Sequence, residues 1–198
     1  MIGPRLKKIR RLGTPLPGLT RKTAAAPTTR RATERRRRIS DYRRRLEEKQ
    51  KVRWHYGISE RQLRNAFADA VRAPGATGEN LLSLLERRLD CVVFRLGLAP
   101  TIPAARQLVG HGHVRVDGLR VDRAGYKVSP GQRVAISDRG RRIPDVVAAV
   151  DRGPEIRLPA YLALEPGDPF HGRVVGNPSR ADVPFLVEET AIVEFYAR

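Results

Sequence analysis

The residues able to make or break a bond are scarce in this chain, and those able to hold a phosphate are abundant. Its four histidines are His55, His111, His113 and His171, and Cys91 is its one cysteine. His111 and His113 have the spacing of two metal ligands on a strand, but zinc needs four, and His55 and His171 are remote in sequence. Cys91 precedes Val92 and Val93 within an apolar helical run, which marks it as a small buried hydrophobe rather than a nucleophile. No Gly-rich phosphate loop ends in Lys and Ser or Thr, and no Ser, His and Asp grouping suggests covalent catalysis. Adjacent acids such as Glu188 and Glu189 are ordinary on surfaces. The reading is therefore a protein without catalytic residues, metal or cofactor.

What remains is cationic. The 198 residues carry 39 Lys and Arg against 21 acids, a formal charge of +18, so a polyanion is the natural partner. The charge is concentrated: residues 1–53 hold nineteen Lys or Arg and four acids (Glu34, Asp41, Glu47, Glu48), while the remaining 145 residues carry only +3. Each phosphate such a segment neutralises releases a counterion, which gives affinity but no sequence preference. Its densest block is Arg35, Arg36, Arg37 and Arg38. Further candidates for RNA contact are Lys49, Lys51, Arg53, Arg61, Arg64, Arg72 and Arg88. Trp54, His55 and Tyr56 lie between Arg53 and Arg61, an order suited to base stacking beside phosphates, although a lone Trp near a helix end more often packs inward.

A hairpin gives the sharpest local inference. The string HVRVDGLRV alternates with period two about Asp117 and Gly118, a type I′ turn signal. A two-residue turn there sets Val116 against Leu119 and Val114 against Val121 on an apolar inner face, and Arg115 against Arg120 on the outer one. Directly opposed like charges destabilise a sheet unless an anion lies between them, and a phosphate would be that anion. His113 continues the same face, and Gly110 and Gly112 allow the backbone beside His111 to approach a partner closely.

The elements that position these residues follow from caps and periodicity. Residues 1–39 read as a basic extended arm that orders on its partner, with Pro4, Pro15, Pro17 and Pro27 opposing the amphipathic helix of an organellar transit peptide. Ser40 is an N-cap for a helix closed by Gly57, and Ser59 with Gln62 forms a capping box for a second. Leu63, Phe67, Ala70 and Val71 form one face of that helix, with Arg61, Arg64 and Arg72 on the other. A single long helix is predicted from Thr77 to Gly97, on the stripe Leu81, Leu85, Leu89, Val92, Val93 and Leu96. A short helix follows, capped by Thr101 with Pro103 in its first turn and Gly110 as its stop. After the hairpin, YKVSPGQRVAI adds a strand pattern about Pro130 and Gly131. Seven prolines between 144 and 184 break every candidate helix, which predicts loops with short strands or helical turns, and the apolar tail TAIVEFYAR should dock on the folded body.

No apolar run is long enough to span a membrane, and the single cysteine fits a reducing cytoplasm. The strings EKQKVRWHYGISERQLRNAF, TGENLLSLLERRLDCVVFRLGLAPT and ARQLVGHGHVRVDG, together with the ending IVEFYAR, closely resemble the bacterial and organellar small-subunit ribosomal protein number four family. The match covers nearly everything from Ser40 to Ser137 and the tail. It implies an α+β fold: a helical domain over 40–88 completed by 181–198, an inserted S-four-type α/β RNA-binding module over 89–150 with a small, mainly antiparallel sheet, and proline-rich loops over 151–180 packing on it. It also implies that Thr101, Arg106, Gln107, His111, His113, Arg115 and Arg120 form the module's RNA-facing surface.

In function, the resemblance implies a structural constituent of the small ribosomal subunit, located in the cytoplasm or, alternatively, in an organelle. Such a protein binds 16S rRNA directly, nucleates assembly of the subunit body and contributes to translational accuracy. Its partners would be small-subunit proteins number five and, functionally, number twelve, near the path by which mRNA enters. No membrane or small-molecule substrate is implied. The four-cysteine zinc knuckle of many members is absent, which makes this a zinc-free form. The alternative is an accessory factor for ribosome rescue or RNA modification that uses the same module. A modifying enzyme would need a large catalytic domain, for which little chain remains.

Overall fold

A computed structural model describes residues 5–21 and 40–197, and the arginine block at 35–38 lies outside them. The chain divides into two compact units: residues up to Leu81 together with Pro184 onward, and Leu82 to Val183. The fold is α+β, with eight α-helices and one five-stranded antiparallel sheet among the described residues.

The first unit is helical. Residues Arg5–Leu12 form helix α1, which corrects the expectation of an extended arm there. Pro15 falls beyond the end of this helix instead of interrupting it, and Leu16 and Leu19 after it are buried. Helix α2 (Asp41–His55) starts where predicted, because the Ser40 hydroxyl accepts the Arg43 N–H at 3.3 Å. Helix α3 (Glu60–Arg72) has the predicted capping box: Gln62 N–H donates to the Ser59 hydroxyl, and Ser59 N–H to the Gln62 side chain.

The tail forms α8 (Glu189–Tyr196) and docks as expected. Arg45 pairs with Glu194 at 2.6 Å, the Tyr196 hydroxyl donates to Glu60 at 2.8 Å, and the Phe67 and Tyr196 rings lie 4.8 Å apart.

The predicted helix from Thr77 to Gly97 is in fact two, α4 (Thr77–Glu86) and α5 (Leu89–Arg95). Arg88 is extended between them, and the first N–H groups of α5 are satisfied by distant backbone: Leu89 donates to the Tyr126 carbonyl and Asp90 to that of Ala124. The helix thus gains its cap from a loop nearly forty residues downstream, and no local cap residue announces it. All seven residues of α5 are buried, so it forms the central rod of the second unit.

Helix α6 (Ile102–Gly110) is capped by the Thr101 hydroxyl, which accepts the Ala104 N–H at 3.2 Å. The hairpin β1 (Val114–Val116) and β2 (Leu119–Arg120) turns through Asp117 and Gly118, both with positive φ, in the predicted register. Its inner face departs from expectation at Leu119, which is 74% exposed because β2 is only two residues long and lies at the open edge of the sheet.

Strand β3 (Arg133–Ile136) pairs with β1. The run before it forms only an isolated bridge, Lys127 with Arg88. The proline-rich stretch holds more than loops. Pro144 opens helix α7 (Pro144–Arg152), since its missing N–H falls where a helix needs none. Strands β4 (Leu162–Leu164) and β5 (His171–Val174) then complete a sheet of order β2-β1-β3-β5-β4.

One sheet face packs on the helices through Val114, Val116, Val134, Ile136 and Val174. Gly172 on β5 admits Leu96, the residue that caps the end of α5, so closely that a β-carbon there would collide with the leucine side chain.

Candidate nucleic-acid interface

Helix α6 buries Ile102, Ala105, Leu108 and Val109, which turns Gln107 outward and leaves Arg106 half-buried. The helix ends at His111, after which Gly112 takes φ +74°, a left-handed turn that hands the chain to β1. His111 is exposed and His113 half-buried, with their rings 6.2 Å apart. The room beside Gly112 is filled from within the protein: the Arg120 guanidinium lies against it, where any β-carbon would clash. Close approach of a partner's backbone is therefore not what this glycine permits. It seats Arg120 beside the turn that follows α6.

Arg115 and Arg120 face each other across the hairpin as predicted, and both are exposed. Arg115 donates to the Gly118 carbonyl at 3.1 Å, which points its guanidinium along the turn. Asp117 does not neutralise that pair. Its carboxylate accepts the Arg133 backbone N–H and the Gln132 amide, both at 2.8 Å, and those bonds, with the nearby charges of Arg133 and Arg173, hold its pKa below the usual carboxylate range. The module therefore presents Gln107, His111, Arg115 and Arg120 to solvent along α6, the following turn and the hairpin.

Other predicted residues have partners inside the protein. Arg88 is buried and forks onto Asp90 at 3.1 and 2.9 Å, and Arg106 reaches the same carboxylate at 2.6 Å. Lys49 is 6% exposed, pairs with Glu60 at 3.0 Å and lies over the Phe195 ring at 4.1 Å. Burial tends to raise the Glu60 pKa, but hydrogen bonds from Lys49 and Tyr196 outweigh it and hold the carboxyl low. Lys49 and Arg88 are accordingly corrected from RNA contacts to scaffold. Thr101 is likewise buried as a cap.

Lys51 pairs with Glu48, and Arg53 lies 3.9 Å from Glu60. Arg61, Arg64 and Arg72 stand exposed on α3, with Arg72 3.7 Å from Asp69. Trp54 is half-buried beneath the Lys8 ammonium, whereas His55 and Tyr56 are core residues. Cys91 is fully buried, and desolvation with the adjacent Glu86 charge pushes its thiol pKa well up, so it is inert.

Sequence reasoning missed the outward cations of the sheet's second half, Arg133 and Arg173. Their signal was the alternation in RVAI and HGRV, which the surrounding prolines obscured.

Comparison with known proteins agrees with this geometry. A family model described as the ribosomal protein S4/S9 N-terminal domain matches residues 1–86, and one for the S4 domain matches residues 87–134. The chain is 46% identical to the small ribosomal subunit protein uS4c of Spinacia oleracea, over 99% of its own length and 96% of the relative's. It is 47% identical to uS4 of Nostoc punctiforme and 46% identical to uS4 of Synechococcus elongatus, again over 99% of this chain and 96% of each relative. Two adjoining domain matches and near-full-length similarity place this chain in the uS4 family of small ribosomal subunit proteins.

Proposed function

We propose that this protein is a structural, non-catalytic constituent of the small ribosomal subunit that binds 16S rRNA directly. One observation carries the reading of its RNA contact: Arg115 stands opposite Arg120 on an exposed hairpin, and no carboxylate pairs with either among the described residues. The energetic cost of that opposition disappears when a phosphate lies between the two guanidiniums. Gln107 on α6 and His111 at its end supply shorter polar contacts that charge alone does not. In this reading the basic N-terminal segment adds affinity, and the module supplies the fit to a folded junction.

The same reading extends to nucleating assembly of the subunit body, to translational accuracy, and to neighbours that include proteins number five and twelve and the path by which mRNA enters. Its support is the resemblance of the long motifs and the near-full-length similarity to uS4 proteins.

The test is filter binding to a 16S rRNA junction fragment. The wild-type chain should bind, and Arg115→Glu with Arg120→Glu should weaken binding by about one to two orders of magnitude. Equal affinity for both proteins would reject the hairpin as the contact. Migration with small subunits on a sucrose gradient after a high-salt wash tests the assignment to the subunit itself.

A further inference from the structure

The hairpin pair has a counterpart elsewhere on the same sheet. Strands β3 and β5 set Arg133 directly opposite Arg173, so the outer face carries two Arg–Arg cross-strand pairs. The first pair continues in register as the row Arg115, Ala135 and His171 across β1, β3 and β5, beside the second pair. Since Val114, Val116, Val134, Ile136 and Val174 point to the core, period-two alternation puts this row and both pairs on the solvent side. A groove of about 670 Å³ lies over it, lined by Arg115, Asp117, Arg133, Ala135, Arg141 and His171 among others, and Arg173 stands exposed outside that lining, across the strand pair from Arg133.

Most carboxylates of this face are already committed. Glu165 holds Arg133 at 2.6 Å, and Asp168 receives Arg141 at 2.8 Å and His171 at 3.1 Å. Asp117 is occupied by backbone and amide donors, and Asp138 at the rim is exposed. Arg115, Arg120 and Arg173 form no ion pair among the described residues, so three guanidiniums remain for an external anion. The floor is Ala135, and no aromatic ring but His171 lines the groove. A face built this way lacks the stacking platform that holds bases and has the forked donors that hold phosphates.

We propose that the outer face of the sheet is a second RNA contact, a sequence-independent seat for a sugar–phosphate backbone. Arg115 and Arg173 engage phosphates, and Arg133, held by Glu165, stands between them. The strip is continuous with the α6–hairpin edge through Arg115 and Arg120, which favours the same RNA as its occupant over a separate acidic protein. This inference rests on the reading of the chain as an rRNA-binding protein and extends the contact from the hairpin along the same face to Arg133 and Arg173.

The experiment measures binding of the full chain to the 16S rRNA junction fragment across a salt series, for the wild type, Arg173→Ala and Arg173→Glu. Arg173→Ala should weaken binding about three- to tenfold, reduce the slope of log affinity against log salt by about one, and do so equally for a competitor RNA of scrambled sequence. Arg173→Glu should bind more weakly still and yet melt close to wild type, because position 173 is exposed. Unfolding thus cannot imitate the expected result.

Unchanged affinity and slope in both variants, beside a wild type that binds and an Arg115→Glu, Arg120→Glu double variant that binds about one to two decades more weakly, would overturn the second contact alone. Failure of the wild type to bind would overturn the underlying reading. Loss of co-purifying subunit proteins by Arg173→Glu, with RNA affinity intact, would assign the face to a protein partner and reject the inference.

Discussion

Around Asp90, two arginines converge on one buried carboxylate: Arg88 forks onto it and Arg106 closes from the other side. Glu86 collects Arg95, the Tyr161 hydroxyl and the Cys91 thiol in the same way. On the outer face of the sheet the arrangement is reversed, with Arg115 against Arg120 and Arg133 against Arg173, and acids for only part of the set. The two regions use one residue type under opposite conditions. Around the two buried acids, arginine is buried or half-buried and ties elements together. Where a carboxylate is withheld, arginine is exposed and the missing anion has to come from outside. The location of the acids, more than that of the bases, separates scaffold from interface.

The largest effect expected from breaking this contrast is on the scaffold side. Asp90→Ala strips the partner from buried Arg88 and should cost about 3–5 kcal/mol in urea denaturation, because an uncompensated charge remains in the interior. A loss below about 1 kcal/mol would mean that the cluster is not what holds the α5 break. On the interface side, the Arg115→Glu, Arg120→Glu double variant should lose about one to two decades of rRNA affinity while its melting temperature holds. Gly112→Ala sits between the regions. It forces a side chain into a left-handed conformation and evicts Arg120, so it should destabilise by about 1–2 kcal/mol and weaken RNA binding as well.

Acid should separate the two regions more gently. Asp117, Asp168 and Glu60 all have folded pKa values below their ordinary ones. Burial alone would raise that of Asp168, but the Phe170 N–H, Arg141 and His171 outweigh it. As the pH falls below the normal carboxylate range the unfolded chain takes up protons before the folded one does, so this stabilisation is complete above that range and is lost through the depressed pKa values. Melting temperature followed from neutral pH to about pH 3 should decline through that window, and Asp117→Asn should flatten part of the decline. The smallest effect is Arg173→Glu on stability, a change within about 0.5 kcal/mol, because position 173 is exposed and relief of the Arg133 contact is offset by loss of the favourable charge beside Asp117.

Much of this fold was legible wherever the determining interaction is local. The capping box at Ser59 and Gln62, the N-caps at Ser40 and Thr101 and the turn at Asp117 and Gly118 each involve residues within three positions of one another, and all were placed correctly. The break between α4 and α5 was not legible, because its caps are carbonyls of residues 124 and 126. Pro144 was read as a breaker where it is an initiator, a distinction that depends on which residue begins the helix.

The site followed the same rule. The register of Arg115 and Arg120 could be counted from the turn, but the Arg133–Arg173 pair joins strands about forty residues apart. Arg88 and Lys49 looked like surface charge because a basic residue ordinarily is; Asp90 lies only two residues from Arg88, but the burial of both side chains, like the pairing of Lys49 with Glu60 eleven residues on, depends on the fold.

The most direct test of the account pairs two readings on one protein: rRNA affinity and thermal stability of the Arg115→Glu, Arg120→Glu variant beside the wild type. The account predicts that they diverge, with affinity falling at least about tenfold while the melting temperature holds. If both fall together, or if affinity does not change, these arginines belong to the scaffold and the RNA is held elsewhere.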